Sequence, residues 1–214
     1  MNTKFSIIIP TLWKSKRIHK LLKDLIDTES VGEIIIIDNS REFHKYYEKL
    51  PKVKVLEPLF NIYVNPAWNY GVRESAFNCI ALVNDDISFD TTIFNKATEE
   101  KLKTRGFLGM HKDNYKKDVV NEPFAEPWVG QTFDGWGCLI MFHKSHWIDI
   151  PNELKIWFGD NFMREINPAP VSVLKNFPIE SEMSTTSDES RWDEIKKSDT
   201  QFYMNNLKKK YEKV

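Results

Sequence analysis

Short runs of hydrophobic residues, each ending in polar residues, recur through the first hundred positions of the chain. Apolar runs of this length are typical of strands that are buried on both faces of a sheet. We predict four such strands, at residues 5–11, 33–40, 53–56 and 79–83. Apolar residues at helical spacing separate the first two strands, and residues 66–75 predict a helix that begins at a proline. This alternation predicts an α/β fold with a mostly parallel central sheet flanked by helices.

The pattern is less regular after residue 100. Residues 106–110 and 135–142 predict two more strands. Residues 121–133 hold three aromatic residues and two prolines, and we interpret this segment as a loop over the ligand site. Residues 191–213 predict a charged helix that docks through Phe202, Tyr203 and Leu207 and turns its lysines to solvent.

Composition limits the number of cores, the kinds of partner and the location that we expect for the protein. The 214 residues are 41% hydrophobic with a formal net charge of −1, which allows one core and gives no general attraction to nucleic acid. Cys79 and Cys138 lie in apolar runs, where free buried thiols are expected. No apolar stretch approaches the roughly 20 residues that span a bilayer, and no signal-peptide pattern is present. We therefore expect a soluble, cytoplasmic protein without a membrane span.

Two adjacent carboxylates, Asp85 and Asp86, follow the fourth predicted strand. Carboxylates side by side repel each other, and a shared divalent cation is a common reason for such a pair. The alternative is that they begin a loop or cap a helix, since aspartate is common in both roles. The first two strands also end in polar residues, including Thr11 and Asp38. Because open α/β sheets bind ligands at the carboxyl ends of their strands, we predict a site with a divalent cation at this edge.

The sequence lacks residues that several classes of enzyme require. The turn at residues 10–14 contains no glycine, so it does not form the phosphate cradle of a dinucleotide fold or a P-loop. His143 and His146 have no acidic or cysteine partner nearby in the sequence, which argues against a zinc enzyme. No serine lies in a nucleophile-elbow motif, which argues against an α/β-hydrolase. A bound nucleoside diphosphate would need the predicted cation to neutralise its charge.

Four segments carry a resemblance to a known family. They are residues 6–11, residues 35–40, the set Asn61, Ala67, Asn69 and Gly71, and the triplet Asn84, Asp85 and Asp86. From residue 5 to about residue 199, the chain resembles the family 2 glycosyltransferases of the GT-A fold. Tyr63 stands where that family usually has a glycine, and Asn84 replaces the first acidic residue of the family's D-x-D metal motif.

The resemblance implies roles for the residues at the strand ends. The residues it assigns to the nucleotide are Pro10, Thr11, Asp38, Asn39, Asn69 and Asp85. Asp86 becomes the main ligand of Mn²⁺ or Mg²⁺, with Asp85 nearer the ribose or donor sugar. The late histidine ligand of many such enzymes is missing, so Glu180, Glu182 or water completes the shell, or the cation binds weakly.

The resemblance also implies a sugar pocket. Its candidate residues are Asp134, Gly135, Trp136 and Gly137. Trp136 is interpreted either as a surface that stacks on a sugar or as a core tryptophan between two glycines.

Asp160 occupies the position of the family's general base, while Gly159 replaces the glutamate that precedes that base. The alternative reading of Asp160 is the N-cap of a helix that runs through Met163 and Ile166. The two roles are compatible, because a capping position also fixes the direction of a carboxylate.

The function implied by the resemblance is transfer of a sugar from a UDP-sugar to a hydroxyl of a glycan or glycoprotein, with inversion at the anomeric carbon. A nucleotidyltransferase and an inactive glycan-binding or interaction domain are the alternatives. We expect one domain over residues 1–214: a nucleotide half to about 90, an acceptor and sugar half over about 91–190, and a helix over about 191–214. The chain also resembles capsid-glycan glycosyltransferase domains of large algal DNA viruses, which would place it in a host cytoplasm.

Overall fold

The computed structural model describes residues 3–42, 44–116, 122–130, 135–182 and 190–208, and its centre is an eight-stranded sheet. The strands are β1 (Phe5–Thr11), β2 (Val31–Asp38), β3 (Val53–Leu56), β4 (Cys79–Val83), β5 (Ile87–Phe89), β6 (Phe107–Met110), β7 (Phe124–Pro127), β8 (Leu139–His143), β9 (Val171–Lys175) and β10 (Ile179–Ser181). The order in the large sheet is β3-β2-β1-β4-β8-β6-β9-β7, and β5 pairs with β10 in a small antiparallel sheet.

The large sheet is mostly parallel, as predicted. Strands β1 to β4 are mutually parallel, and β6 is parallel to β9. Strands β8 and β7 run in the opposite direction, because β8 is antiparallel to β4 and β6, and β7 is antiparallel to β9. The four strands predicted in the first hundred residues are confirmed, although β2 begins and ends two residues earlier than the prediction.

Helices pack on both faces of the sheet because alternate strand residues point to opposite sides. Helix α1 (Arg17–Asp27) joins one core with Ile7 and Ile9 of β1. Helix α2 (Val64–Glu74) joins the other core with Ile8. A Cβ atom on Gly71 would lie 2.4 Å from Cγ2 of Ile8, so only glycine allows α2 to approach β1 this closely.

Two predictions in the second half were wrong in part. Residues 135–142 do not form one strand, because Gly135 has a left-handed backbone and Trp136–Cys138 form a 3₁₀ turn before β8 begins. The segment at residues 121–133 is not wholly a loop, because it contains the edge strand β7; residues 121 and 131–133 lie outside the described part of the chain. Proline at the end of an edge strand costs no internal ladder bond, which explains how a proline-containing segment pairs there.

The remaining α-helices lie after β5. Helices α3 (Ile93–Lys96) and α4 (Glu99–Arg105) precede β6, and the short helix α5 (Gly159–Asn161) continues into a π-helical turn, Phe162–Ile166. Helix α6 (Asp193–Phe202) continues into another π-helical turn, Tyr203–Lys208. The predicted docking of this segment is confirmed, since Tyr203 is buried in a core and Phe202 and Leu207 pack against it.

Two further expectations concern the state of the cysteines and the presence of a membrane span. Both cysteines are free and buried, and burial raises the pKa of each thiol to about 11. Among the described helices, none has the length and apolar character needed to cross a membrane.

Candidate active site

The carboxyl ends of β1 and β2 bring polar residues together at one edge of the sheet. The parallel register pairs Thr11 with Asp38, and the backbone N–H of Asn39 donates to the carbonyl of Thr11 at 2.9 Å. Asp85 and Asp86 follow β4, the neighbour of β1 on the other side. The side chain of Thr11 donates a hydrogen bond to Oδ2 of Asp85, which links the two strand ends directly.

The Asp85 carboxylate lies in an environment that favours its protonated form. Burial is the main cause that raises the pKa of Asp85 to about 6. The hydrogen bond from Thr11 acts in the opposite direction, while the negative charges of Asp86 and Glu182 raise the pKa further. A cation placed here would relieve both the burial cost and the repulsion.

Asp86 provides an acceptor atom suited to a cation. The residue is only 9% exposed, and no donor in the described part of the chain reaches its Oδ1 atom. Burial raises the pKa of Asp86, and the charge of Glu182 raises it further. An unbonded buried carboxylate oxygen is costly, and carboxylate oxygens are the ligands that Mg²⁺ and similar cations prefer. Asp86 therefore fits the predicted divalent cation.

Glu182, rather than Glu180, is the nearer acidic neighbour of Asp86. The backbone N–H of Glu182 donates to the carbonyl of Asp86 at 3.1 Å, beside the β5–β10 pairing. The Glu182 carboxylate is held by Ser15 at 2.8 Å and by Arg17 at 3.2 Å. Across the described ranges, no group of three acidic, histidine or cysteine side chains has the geometry of a metal site. The two aspartates would suffice for a cation that also binds diphosphate oxygens.

Asp38 is buried and fully engaged within the protein. Its Oδ1 accepts hydrogen bonds from the backbone and hydroxyl of Ser40, and Nδ1 of His44 lies 2.8 Å from its Oδ2. Burial raises the pKa of Asp38, but these hydrogen bonds outweigh it and hold the pKa below its ordinary value. His44 also packs against Trp13, with ring centroids 4.5 Å apart. A nucleobase bound at this edge would therefore contact His44 and Trp13 beside Asp38.

The other residues assigned to the nucleotide differ in their surroundings. Pro10 lies in β1 opposite Ile37, next to Thr11. The Asn39 side chain accepts from the backbone N–H of Ile62 at 3.1 Å and so fixes the segment before α2. Asn69 is buried, and its amide both donates to and accepts from the backbone of Ile150, at 2.8 and 2.9 Å. These bonds give Asn69 a structural role, and its nucleotide contact stays a prediction.

Asp160 forms the second acidic centre, on α5. Its Oδ2 accepts from the guanidinium of Arg164 at 3.2 Å, and its side chain is 30% exposed, whereas that of Arg164 is 4% exposed. Burial raises the pKa of Asp160, and the adjacent charge of Arg164 opposes that rise. Phe158 is the N-cap, so Asp160 lies inside the first turn rather than at the cap. The result is a basic carboxylate that remains open to solvent on one side.

Gly137 places the predicted sugar segment against Asp160. A Cβ atom on Gly137 would lie 3.2 Å from Cβ of Asp160, so the turn and the carboxylate are in close contact. Gly135 has φ +89°, and its carbonyl accepts from the hydroxyl of Tyr115 at 2.6 Å. Asp134 lies outside the described residues.

Trp136 has no exposed surface and lies over Gly109, where a Cβ atom would approach its ring to 2.3 Å. A side chain in this position has no free face for a sugar. The structure therefore favours the second interpretation, a core tryptophan. Its ring also faces Arg164, whose guanidinium carbon lies 5.3 Å from the ring centroid.

Gly159 stands where the family that the chain resembles has a glutamate, and packing explains the glycine. A Cβ atom at Gly159 would lie 2.1 Å from Oδ1 of Asn65, which is buried in α2. Phe158, immediately before it, has a left-handed backbone with φ 64°. The chain therefore makes a tight turn against α2 just before Asp160.

Sequence reasoning missed Arg164 as the partner of Asp160. The available signal was the four-residue spacing of an aspartate and an arginine in a predicted helix, which places the two side chains on one face. His44 and Ser40 gave no comparable signal, because their contact with Asp38 depends on how the chain turns after β2.

Solved structures with similar folds were found. The chain aligns with S. aureus TarS 1-349 in complex with UDP at a TM-score of 0.61 and 18% identity, covering 83% of this chain and 59% of that chain. It aligns with GalNAc-T7 bound to UDP, GalNAc and Mn²⁺ at a TM-score of 0.61 and 14% identity, covering 83% and 43%. The chain thus spans about half the length of these proteins. No protein-family profile and no curated protein sequence matches it. At these identities the likeness establishes the fold: the chain has the GT-A fold of these glycosyltransferases.

Proposed function

We propose that the protein is a divalent-cation-dependent glycosyltransferase that uses a UDP-sugar and an acceptor hydroxyl on a glycan or glycoprotein. The observation that carries this proposal is the placement of two acidic centres around one turn, Trp136–Cys138. The backbone N–H of Asn84, two residues before Asp86, donates a hydrogen bond to the carbonyl of Cys138 at 3.0 Å. On the other side of the turn, Gly137 contacts Asp160. Burial is the main cause that raises the pKa of the Cys138 thiol, and the negative charges of Asp86 and Asp160 raise it further. A cation-binding carboxylate and a basic carboxylate are therefore proposed to act beside the same turn.

The nucleotide is proposed to bind along the ends of β1, β2 and β4. Thr11, Asp38 and Asp85 form a continuous polar edge there, and the aromatic rings of Trp13 and His44 lie beside it. The likeness to TarS, solved with UDP, and to GalNAc-T7, solved with UDP and Mn²⁺, supports a uridine nucleotide and a cation. The corresponding division into a nucleotide half and a sugar half is part of the proposal.

Asp86 and Asp85 would hold the cation, with Glu182 as the nearest further carboxylate. When bound, such a cation supplies positive charge that stabilises the departing nucleoside diphosphate. The unbonded Oδ1 of Asp86 is the atom most available to it. Arg17 holds Glu182 at 3.2 Å and supplies positive charge at the same edge.

Asp160 is proposed as the general base. It takes the proton from the acceptor hydroxyl as the hydroxyl oxygen bonds to the anomeric carbon and the bond from that carbon to the diphosphate oxygen breaks. A single displacement inverts the anomeric configuration. The raised pKa of Asp160 makes it a stronger base than an ordinary aspartate, and Arg164 orients its carboxylate and favours the ionised form.

Neither alternative function gains support from a particular contact. Asn84 and Gly159 are the two replacements that would fit an inactive domain, and the contact with Asn65 explains Gly159 by packing. A nucleotidyltransferase needs a loop that holds a triphosphate, and residues 10–14 contain no glycine for one. The viral origin suggested by the resemblance stays a prediction.

A donor screen tests the proposal. The protein is mixed with a panel of UDP-sugars and MnCl₂, and UDP release and thermal stabilisation are measured for each donor. We expect one UDP-sugar to give cation-dependent stabilisation and slow UDP release by hydrolysis, which an acceptor glycan accelerates. Cation-dependent release of pyrophosphate from UTP and a sugar phosphate would instead support a nucleotidyltransferase. Glycan binding without turnover of any donor would support the inactive domain.

A further inference from the structure

A buried aspartate of the C-terminal helix binds the backbone just before the proposed base. Asp199, in α6, has no exposed surface. Its Oδ2 accepts hydrogen bonds from three consecutive backbone N–H groups, those of Lys155, Ile156 and Trp157, at 3.0, 2.8 and 3.0 Å. No described donor reaches its Oδ1, so its hydrogen bonding is directed at this one segment.

Three successive N–H groups that converge on one oxygen form an anion-binding concavity in the backbone. They are part-buried and are not available to a helix or sheet ladder in this conformation, so without Asp199 they would lose this partner. Hydrogen bonds to a charged acceptor are about twice as strong as neutral ones. Asp199 therefore stabilises this conformation of residues 155–157 through their N–H groups.

Asn65 holds the same segment from the opposite side. The side-chain amide of Asn65 donates to the carbonyls of Leu154 and Trp157 at 3.2 and 3.1 Å. Its backbone N–H donates to the carbonyl of Lys155 at 3.0 Å. The segment is therefore held between α2 and α6, with its carbonyls bound on one side and its N–H groups bound on the other.

The next residue, Phe158, has a left-handed backbone that an aromatic residue rarely adopts. Such a conformation persists only where the surroundings impose it. The ring of Phe158 stacks on Tyr203 with centroids 4.7 Å apart, and the Tyr203 hydroxyl donates to Glu165 at 2.7 Å. Asp160 follows two residues after this turn, so the turn determines where its carboxylate points.

We propose that Asp199 is a positioning residue, which holds the turn at Phe158 from the C-terminal helix and thereby aims Asp160 at the acceptor hydroxyl. This inference rests on the proposed function for the role of Asp160. It assigns α6 a part in the reaction through the backbone of residues 155–157, without contact between Asp199 and substrate.

The test compares Asp199→Ala and Asp199→Asn with Asp193→Ala, which removes an exposed aspartate of the same helix. Each protein is checked for folding by melting temperature and for UDP affinity by calorimetry with Mn²⁺. The single-turnover rate is then measured with the UDP-sugar found by the donor screen. A second arm follows the ¹³C carboxyl resonance of Asp160 across pH in aspartate-labelled protein, assigned with Asp160→Asn.

We expect Asp199→Ala to lower the single-turnover rate roughly tenfold to hundredfold, because a small misplacement of a reacting group has effects of that size. UDP affinity should stay within about twofold, since the nucleotide edge is built from other strands. Asp199→Asn keeps an oxygen for the three N–H groups, loses the charge, and should have a smaller effect. The Asp160 titration should move in Asp199→Ala and stay unchanged in Asp193→Ala.

A folded Asp199 variant with the turnover and the Asp160 titration of Asp193→Ala would overturn the inference and leave Asp199 a purely structural residue. Should Asp199→Ala fail to fold, Asp199→Asn carries the same comparison. If the parent protein turns over no UDP-sugar, the proposed function fails, and the titration alone then decides whether Asp199 controls the environment of Asp160.

Discussion

The two acidic centres of the site share one property and differ in another. Burial raises the pKa of both Asp86 and Asp160. The neighbours of Asp86 include the carboxylates of Asp85 and Glu182, whereas Asp160 has the guanidinium of Arg164 at 3.2 Å. The first centre gathers three carboxylates near the guanidinium of Arg17, which pairs with Glu182, whereas at the second centre Asp160 itself pairs with Arg164.

This difference indicates what each centre accepts. A buried cluster of like charges is unfavourable by itself and becomes favourable when a cation enters, so its chemistry depends on that cation. A carboxylate paired with arginine is already compensated, and a strongly bound cation would compete with Arg164. It is better suited to take a proton from a neutral hydroxyl. The comparison therefore supports the proposal that Asp86 binds the cation and Asp160 takes the proton.

The sharpest way to break this comparison is Asp160→Asn. Asparagine keeps the shape of the side chain but does not accept the proton of the acceptor, so we expect turnover to fall roughly a hundredfold to ten-thousandfold. UDP affinity should barely change. Single-turnover transfer with saturating donor measures the first effect, and calorimetry with UDP and Mn²⁺ measures the second.

Glu153→Gln is the matched control, because it removes an exposed carboxylate of the preceding loop. Asp160→Asn should also lower the melting temperature, since it leaves Arg164 buried without a charged partner. Near-normal transfer by Asp160→Asn would place the base elsewhere, with Asp134 as the next candidate.

At the other centre, Asp86→Asn should have the opposite effects on UDP affinity and on melting temperature. We expect the Mn²⁺-dependent part of UDP affinity to fall about tenfold or more, which corresponds to about 1.4 kcal/mol. In the absence of cation, the melting temperature at pH 8 should stay level or rise, because one of several repelling carboxylates is removed. Titrations of UDP with and without Mn²⁺ provide the measurement.

Asp90→Asn, which changes an exposed aspartate after β5, is the control for Asp86→Asn. An undiminished Mn²⁺ response in Asp86→Asn would return Asp85 and Asp86 to the role of loop residues.

Arg164→Gln sharpens the comparison through pH. A base must be ionised, so turnover should fall as pH decreases through the raised pKa of Asp160. Because Arg164 opposes that rise, its removal should raise the pKa further and move the fall in turnover to higher pH. The pH profile of the single-turnover rate shows the shift, and the rate on the acidic side of that profile should fall several-fold.

Arg164→Lys retains a positive charge at the same position, so it should produce a smaller shift than Arg164→Gln. Identical pH profiles for the parent and both variants would show that Arg164 does not act on the base.

The first centre could be predicted from sequence and the surroundings of the second could not. The strands that carry Thr11, Asp38 and Asp85 are marked by dense runs of isoleucine, leucine and valine, and parallel pairing then brings their ends together. Local pattern is sufficient there because each residue lies at the end of a strand or within two residues of it. The contact between Thr11 and Asp85 joins neighbouring strands.

The surroundings of Asp160 depend on contacts between segments distant in sequence. Asn65, Gly137 and Asp199 all meet the segment around Asp160, across separations that periodicity does not encode. Gly159 illustrates the limit, because its replacement of a glutamate reads as lost chemistry until the side chain of Asn65 is seen beside it.

The smallest expected effect comes from Gly137→Ala, which changes no charge at either centre. The new methyl group would lie 3.2 Å from Cβ of Asp160, so Asp160 or the turn must move by a few tenths of an ångström. We expect turnover to fall roughly twofold to tenfold, with UDP affinity unchanged, because the displacement affects only the orientation of the base. A double-mutant cycle with Asp160→Asn tests the cause. If Gly137 acts through Asp160, Gly137→Ala should cost nothing further in the Asp160→Asn protein, whereas additive losses would show that the turn contributes to transfer independently of the base.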